Sequence, residues 1–163
     1  MALEIERKFL VKGEAFKREA FKALSVTQGY LSSVSERIVR VRMKGDKGYI
    51  TIKGKSDTTG IARFEWETEI SPEDARSLLK LSEPSVIEKT RYLVKNTDGK
   101  HVWEVDEFHG DNEGLVVAEI ELSDENEPFD KPSWIGREVT GIARYYNSSL
   151  KRYPFKNWKE TKL

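Results

Sequence analysis

Apolar and polar residues alternate along most of this chain, with the two-residue period of half-buried β-strands. The alternation runs through Leu3–Val11, Val26–Ser32, Glu36–Lys44, Gly48–Lys55 and Ile61–Ile70, then through Val86–Lys95, His101–Phe108 and Gly114–Leu122. Eight strands are predicted. Turn-forming stretches separate several of them: Lys44-Gly45-Asp46-Lys47-Gly48, Asn96-Thr97-Asp98-Gly99 and Gly110-Asp111-Asn112-Glu113-Gly114. Loops this short join antiparallel neighbours, because a parallel crossover needs a longer connection. Three segments break the period and are predicted as helices. Gly13–Leu24 places Phe16, Ala20, Ala23 and Leu24 on one face. Ser71-Pro72-Glu73-Asp74 is a helix start, with a Ser cap, Pro in the first turn and acids facing the dipole, and leads into Ala75, Leu78, Leu79 and Leu81. Thr140–Lys151 spaces Ile142, Tyr146 and Leu150 by four. No repeat, linker or low-complexity tract divides the chain, so residues 1–163 read as one domain. The last ten residues are expected to fray, with Phe155 and Trp158 as docking points.

Residues two apart on a strand share a face, and one face of each strand is charged. It carries Glu4, Glu6 and Lys8, then Arg40 and Arg42, then Lys53, then Arg63, Glu65, Glu67 and Glu69. Lys89 and Arg91, Glu104 and Asp106, and Glu119 and Glu121 continue it. The opposite faces are largely apolar, as in Val39, Val41, Ile50, Ile52, Val102, Trp103, Val105, Ala118 and Ile120. A sandwich with solvated outer faces would show the same periodicity, so period alone does not say whether the charges point outward or into a lumen. Their sorting is informative. Glu4/Glu6, Glu65/Glu67, Glu104/Asp106 and Glu119/Glu121 are acid pairs that gain nothing from each other, whereas an exposed sheet favours mixed signs. Acids converging from several strands suit a divalent cation, and the pairs Arg40/Arg42 and Lys89/Arg91 suit a polyanion.

Composition narrows the chemistry. Lys plus Arg equals Asp plus Glu at 28 each, which argues against a nucleic-acid-coating protein. There is no Cys, and His101 and His109 are the only histidines. Thiolate nucleophiles, disulfides and Cys- or His-rich metal sites are therefore excluded, leaving a hard cation such as Mg²⁺ or Mn²⁺ held by carboxylates. Met1–Val11 resembles neither a signal peptide nor a membrane span, so a cytoplasmic protein is expected and the Asn147-Ser148-Ser149 sequon carries no weight. His101 and His109, Tyr145, Tyr146 and Asn147, and the four tryptophans read as packing, capping and core rather than chemistry.

Glu4-Ile5-Glu6-Arg7-Lys8 is an ExExK motif near the start of the chain. It is followed in order by Arg40-Val41-Arg42, Thr51-Ile52-Lys53, Arg63-Phe64-Glu65-Trp66-Glu67 and Glu88-Lys89-Thr90-Arg91-Tyr92. Trp103-Glu104-Val105-Asp106-Glu107-Phe108, Ala118-Glu119-Ile120-Glu121-Leu122, Glu138-Val139-Thr140-Gly141 and Tyr146-Asn147-Ser148-Ser149-Leu150 complete the series. Over nearly its whole length the chain resembles the CYTH superfamily of triphosphate tunnel metalloenzymes, in its short bacterial form. The resemblance implies an α+β, mainly antiparallel fold: a closed eight-stranded β-tunnel with a few flanking helices and the charged face turned inward. It also implies phosphate binding by Lys8, Arg40, Arg42, Lys53, Lys89 and Arg91. Glu4, Glu6, Glu65, Glu67, Glu119 and Glu121 would be metal ligands for two Mg²⁺ or Mn²⁺ ions. Glu4, Glu6, Lys8 and Lys89 form the catalytic set, and Arg63, Glu104 and Asp106 support it, the two acids by holding cations such as Lys53 or Arg63. Hydrolysis of inorganic tripolyphosphate is the expected activity, with nucleoside triphosphates as poorer substrates. The alternatives are a class IV-like adenylyl cyclase, a thiamine triphosphatase and a non-enzymatic polyphosphate-binding module. No nucleic-acid or membrane partner is expected, and monomer and homodimer stay equally open.

Overall fold

The computed structural model describes residues 3–158. Its elements run β1 (Leu3–Val11), α1 (Ala15–Glu19), β2 (Lys22–Ser32), β3 (Arg37–Lys44), β4 (Lys47–Gly54), β5 (Ala62–Ile70), α2 (Pro72–Lys80), β6 (Ile87–Lys95), β7 (Val102–Phe108), β8 (Val116–Glu121), β9 (Ile135–Glu138) and α3 (Asn147–Leu150). The strand order is β5-β4-β3-β2-β6-β7-β8-β1-β9, and every pairing is antiparallel. A further pairing of β5 with β1, Leu3↔Phe64 to Ile5↔Ala62, closes β1–β8 into a barrel. Beyond Ile5 the two strands part, and β9 takes that side of β1 with Phe9↔Glu138 and Val11↔Ile135. The first strand is therefore shared by three neighbours.

Two apolar clusters flank the barrel wall. Outside it, Phe9, Phe16, Trp103, Val105, Ala118, Ile120 and Trp134 form a core under α1 and the β8–β9 connection. Phe129 from that connection meets the Phe9 and Trp103 rings edge-on. The second cluster contains Ile38, Ile87, Phe108 and Val117 from strand faces that also carry lumen charges, with Leu115 just before β8, packed against Tyr145, Leu150, Phe155 and Trp158 from the C-terminal segment. It plugs one end of the tunnel. Phe155 and Trp158 are docked as expected, and residues 159–163, where fraying was expected, lie outside the described residues.

Three departures from the sequence reading have physical causes. The helix expected over residues 13–24 stops at Glu19, and Lys22 already belongs to β2. Lys22–Gln28 pairs with Ile87–Leu93, so seven residues of ladder outweigh a weak amphipathic pattern. The helix expected over residues 140–151 is broken. A single 3₁₀ turn spans Ala143–Tyr145, Tyr146 is extended, and only Asn147–Leu150 is α-helical. Ile142 faces out at 38% exposure. The ninth strand, β9, had no recognisable alternation in its four residues. By contrast α2 starts where predicted, with the Ser71 hydroxyl accepting from the Asp74 backbone N–H.

Not all of the outer face is covered. Leu3, Ile52, Phe64 and Trp66 remain exposed, while α2 packs on β3 and β4 and α1 on β6. Among the described residues no helix is long and apolar enough to cross a membrane.

Candidate active site in the barrel lumen

The charged face points inward. A cavity of about 250 Å³ lies within the barrel, lined by Glu4, Glu6, Lys8, Arg40, Arg42, Lys53, Arg63, Glu65, Glu67, Lys89, Arg91, Glu104, Glu119 and Glu121. Every predicted site residue except Asp106 lines it. Glu69, on the same face of β5, is exposed and does not. Alternation explains the convergence, because cross-strand partners on the lumen side have matched parity. Lys8 faces Glu119, Arg40 faces Thr51, and Arg91 faces Asp106.

Bases dominate one wall. Arg40 and Arg42 from β3 share Glu67, at 3.5 and 3.2 Å, and the Thr51 hydroxyl donates to the same carboxylate at 2.6 Å. Burial, reinforced by Arg40 and Arg91, pulls the Arg42 guanidinium down to about 10. The Nε atoms of Arg40 and Arg42 are buried without a hydrogen-bond partner. Unpaired buried donors on two adjacent guanidinium groups are costly unless an acceptor arrives. Next to them Lys89 and Arg91 converge on Asp106. Lys89 Nζ lies 2.8 Å from Asp106 Oδ2, and Arg91 holds both carboxylate oxygens in a fork at 2.8 and 2.9 Å. Only 2% exposed, Asp106 sits behind the cations and holds them in place. Its partners are Lys89 and Arg91, not the expected Lys53 or Arg63, because β7 pairs with β6 and β8 and never borders β4 or β5. Glu104 likewise reaches Arg91, at 3.4 Å. The same Asp106 leaves its two partners differently placed. Burial pulls Lys89 down to about 8, against a single carboxylate contact and next to Arg91. Burial also opposes the charge of Arg91, but Asp106, Glu104 and Glu119 outweigh it and hold the guanidinium charged.

Acids gather on the opposite side. Lys53 bridges Glu4 and Glu65 at 3.1 and 3.4 Å. Lys8 and Arg91 each approach Glu119, both at 3.6 Å. Burial, with Glu119 and Glu4 as like-charged neighbours, pushes Glu6 well above the usual carboxylate range. Burial and the Glu4 charge raise Glu65, and burial with Glu4 and Glu104 raises Glu121. Burial opposes ionisation of Glu4 and Glu119 too, but Lys53 holds the first low, and Lys8 and Arg91 hold the second low. Glu6 is within hydrogen-bond reach of Glu119, and Glu65 of Glu4. Carboxyl pairs that share a proton, with Lys53 wedged into one of them, occupy the arrangement a hard cation would replace. Among the described residues no three acidic or imidazole groups form a ready cage for a metal ion, and Glu4, Glu65, Glu67 and Glu119 are each paired with a lysine or an arginine. The donor set, all carboxylate oxygen, fits Mg²⁺ or Mn²⁺.

The C-terminal segment also contributes to the lining, including Tyr146 and Asn147, which the sequence pattern assigned to packing and capping. Tyr146, Asn147 and Ser148 line the cavity. The Tyr146 ring lies 5.2 Å from Lys8 Nζ and 5.5 Å from the Arg63 guanidinium carbon. Lys89 Nζ donates to Asn147 Oδ1 at 3.0 Å, and Lys8 Nζ to the Tyr145 carbonyl at 3.4 Å. The segment is seated by Gly60, at φ +76°, where a Cβ would lie 2.4 Å from Gly141 Cα. Lys44 and Tyr30 also line the cavity. Strand parity with Arg42 would have found Lys44, whereas Tyr30 shows its lumen side only through its pairing with Arg40. Asn147 lies in the family-like stretch 146–150, but no strand parity marks its side chain as facing the lumen.

A closed antiparallel barrel with sorted charge inside it defines a class. The chain belongs to the CYTH family, whose domain model matches residues 2–152. It is similar to an inorganic triphosphatase of Acetivibrio thermocellus, with 54% identity over 98% of this chain and 100% of that protein. An inorganic triphosphatase of Nitrosomonas europaea is 36% identical over 90% of this chain and 95% of its own length. The crystal structure of an inorganic triphosphatase superposes with a TM-score of 0.62 and 34% identity, covering 93% of this chain and 95% of that one.

Proposed function

We propose that this protein hydrolyses inorganic tripolyphosphate in its lumen, with a divalent metal ion. The carrying observation is the unpaired Nε donors of Arg40 and Arg42, set beside Lys89 and Arg91 in a cavity with few apolar walls. A linear polyanion supplies the missing acceptors. At about 250 Å³ the cavity is smaller than the roughly 300–1,000 Å³ of sites for drug-sized organic ligands. Its size suits a phosphate chain better than a nucleotide or a thiamine ester. The names of the relatives support the same reading.

In this reading Arg40, Arg42, Lys53, Lys89, Arg91 and Lys8 bind and orient the phosphates. Their fixed charges oppose the negative charge that develops on the transferred phosphoryl oxygens. Glu4, Glu6, Glu65, Glu67, Glu119 and Glu121 would hold Mg²⁺ or Mn²⁺, which would supply Lewis-acid stabilisation of phosphate charge and a more acidic water. Lys89, with its pKa near 8, is suited to exchanging a proton near neutral pH. Arg63, Glu104 and Asp106 fix the cations.

The test is to incubate the protein with tripolyphosphate, ATP and thiamine triphosphate, each with Mg²⁺ or Mn²⁺, following phosphate release and cyclic AMP. Tripolyphosphate should be cleaved fastest, with no turnover in EDTA. Cyclic AMP as the main product, or metal-independent cleavage, overturns the proposal.

A further inference from the structure

Lys89 is 2% exposed, and its ammonium has three hydrogens to place. One meets Asp106 Oδ2 at 2.8 Å and one meets Asn147 Oδ1 at 3.0 Å, leaving the third for the cavity that Lys89 lines. The Phe108 ring, 5.4 Å from Nζ, flanks the same ammonium. Since an ammonium only donates, the Asn147 amide must present its oxygen. We propose that Asn147 is a positioning residue for Lys89, a neutral anchor that aims the third N–H at the reacting phosphate. The proposal rests on the triphosphatase reading of the lumen.

A neutral acceptor is what the site requires. Asp106 already supplies one negative charge, divided between Lys89 and Arg91. A second carboxylate at residue 147 would keep Lys89 protonated but cancel its positive field and repel an incoming polyanion. With no acceptor there, two N–H groups would compete for the lumen and Nζ would pivot about Asp106. A side-chain amide fixes the ammonium without changing the net charge. The neighbouring residues act in the same way, since the Tyr145 carbonyl and the Tyr146 ring face Lys8. The plug thus meets three lumen cations, Lys8, Arg63 and Lys89, with neutral groups alone. Its seat is firm: the Val139 backbone N–H donates to the Lys8 carbonyl at 2.8 Å, and the Lys8 N–H to the Thr140 hydroxyl at 2.9 Å.

The experiment compares the wild type with Asn147→Ala and Asn147→Asp. The titration of the Lys89 ammonium is followed first, by heteronuclear NMR of the lysine side chains without substrate or metal, with Lys89→Arg giving the assignment. The charged groups facing Lys89 are Asp106, Arg91 and Glu119, and all three stay in place in both variants. Removing an acceptor disfavours the charged form, so Asn147→Ala should lower the Lys89 titration by about one pH unit. Asn147→Asp should raise it by about as much. With tripolyphosphate and Mg²⁺, kcat should fall about 10- to 100-fold in Asn147→Ala while KM stays within about threefold. The midpoint of the pH–kcat profile should move down in Asn147→Ala and up in Asn147→Asp. Asn147→Asp is nearly isosteric, so it decides the point even where Asn147→Ala fails to fold. A Lys89 titration that stays put in both variants overturns the inference, whatever happens to the rate. A wild type that leaves tripolyphosphate intact, with the titration moving as expected, overturns the triphosphatase reading and upholds the anchoring of Lys89.

Discussion

Asp106→Asn offers a quantitative probe of the lumen, because this buried carboxylate holds two buried cations. The substitution preserves shape and one acceptor oxygen but removes the only negative charge in contact with Lys89. Breaking a buried ion pair by removing one partner costs about 3–5 kcal/mol. Here Arg91 keeps Glu104 and Glu119, and Lys89 keeps Asn147, so the lower end applies. Even with Asp106 present, burial draws Lys89 from 10.5 to about 8, which corresponds to about 3 kcal/mol of unfavourable charge burial already borne at neutral pH. Without Asp106 that burden grows.

The melting temperature should therefore fall by roughly 6–12 °C at pH 7, taking about 2–4 °C per kcal/mol for a chain of this size. The pH dependence has a fixed sign. Asp106 is held well below the usual carboxylate range, against its burial, by Arg91 and Lys89. Its contribution is complete above its unfolded value of about 4 and is lost only as pH falls from there toward the lower folded value. Lys89 is depressed, so the unfolded chain binds its proton more tightly and stability rises between about pH 8 and the unfolded value near 10.4. In Asp106→Asn that rise should begin below pH 8. Calorimetry from pH 2 to 10 reads both effects. A melting temperature within 2 °C of wild type at pH 7, or a variant whose deficit does not shrink as pH is raised, would refute the reasoning.

Other perturbations act on separate parts of the lumen. Glu6→Gln should raise the melting temperature without metal by a few degrees, since it removes a carboxyl that burial and two like charges already disfavour. Mg²⁺ should then stabilise the wild type more than the variant, and metal-dependent turnover should be lost. Glu4→Ala and Glu119→Ala should each abolish metal-dependent turnover while far-UV circular dichroism stays native, and retained turnover in either counts against the ligand set. Arg40→Ala should lower kcat/KM about 100-fold, and Arg40→Lys should recover only part of the loss, because a point charge cannot reproduce the guanidinium fork. Gly60→Ala places a methyl 2.4 Å from Gly141 Cα at a left-handed φ, so it should cost about 2 kcal/mol or more and reduce kcat by displacing the plug; unchanged stability would show that the contact is not needed.

How legible the site was in the sequence follows from the range over which each feature acts. Strand parity is local, so the lumen-facing residues of β1, β3, β4, β5, β6, β7 and β8 could be read from alternation, with Glu69 and Asp106 the two residues placed on that face and found outside the cavity lining. The direction of that face is not local. Alternation is symmetric between inside and outside, and only the family resemblance chose the lumen. The β2 boundary failed because Ala23 and Leu24 suit a helix stripe and a strand equally, and the deciding partner, β6, lies more than sixty residues along the chain. Asn147 was missed for the same reason: its contact with Lys89 spans 58 residues, and the amide has no pattern of its own.

The division between legible and illegible parts also reflects how the lumen is stabilised. Its charges are net unfavourable to bury, as the depressed Lys89, the raised Glu6 and the unpaired arginine nitrogens show. The stabilising contributions come from the aromatic cluster outside the wall and the plug inside it, and β1 joins the two. Its outward Phe9 packs against Trp103 and Phe129, while its inward Lys8 reaches Glu119 and the plug. A rigid apolar frame can hold like charges together only if strand register is fixed, since a slip of one residue in β1 would turn Glu4, Glu6 and Lys8 outward and Phe9 into the lumen. The ExExK strand is thus as much a register constraint as a set of ligands. Its apolar positions should tolerate conservative exchange, whereas a one-residue insertion between Lys8 and Phe9 should abolish folding and activity together.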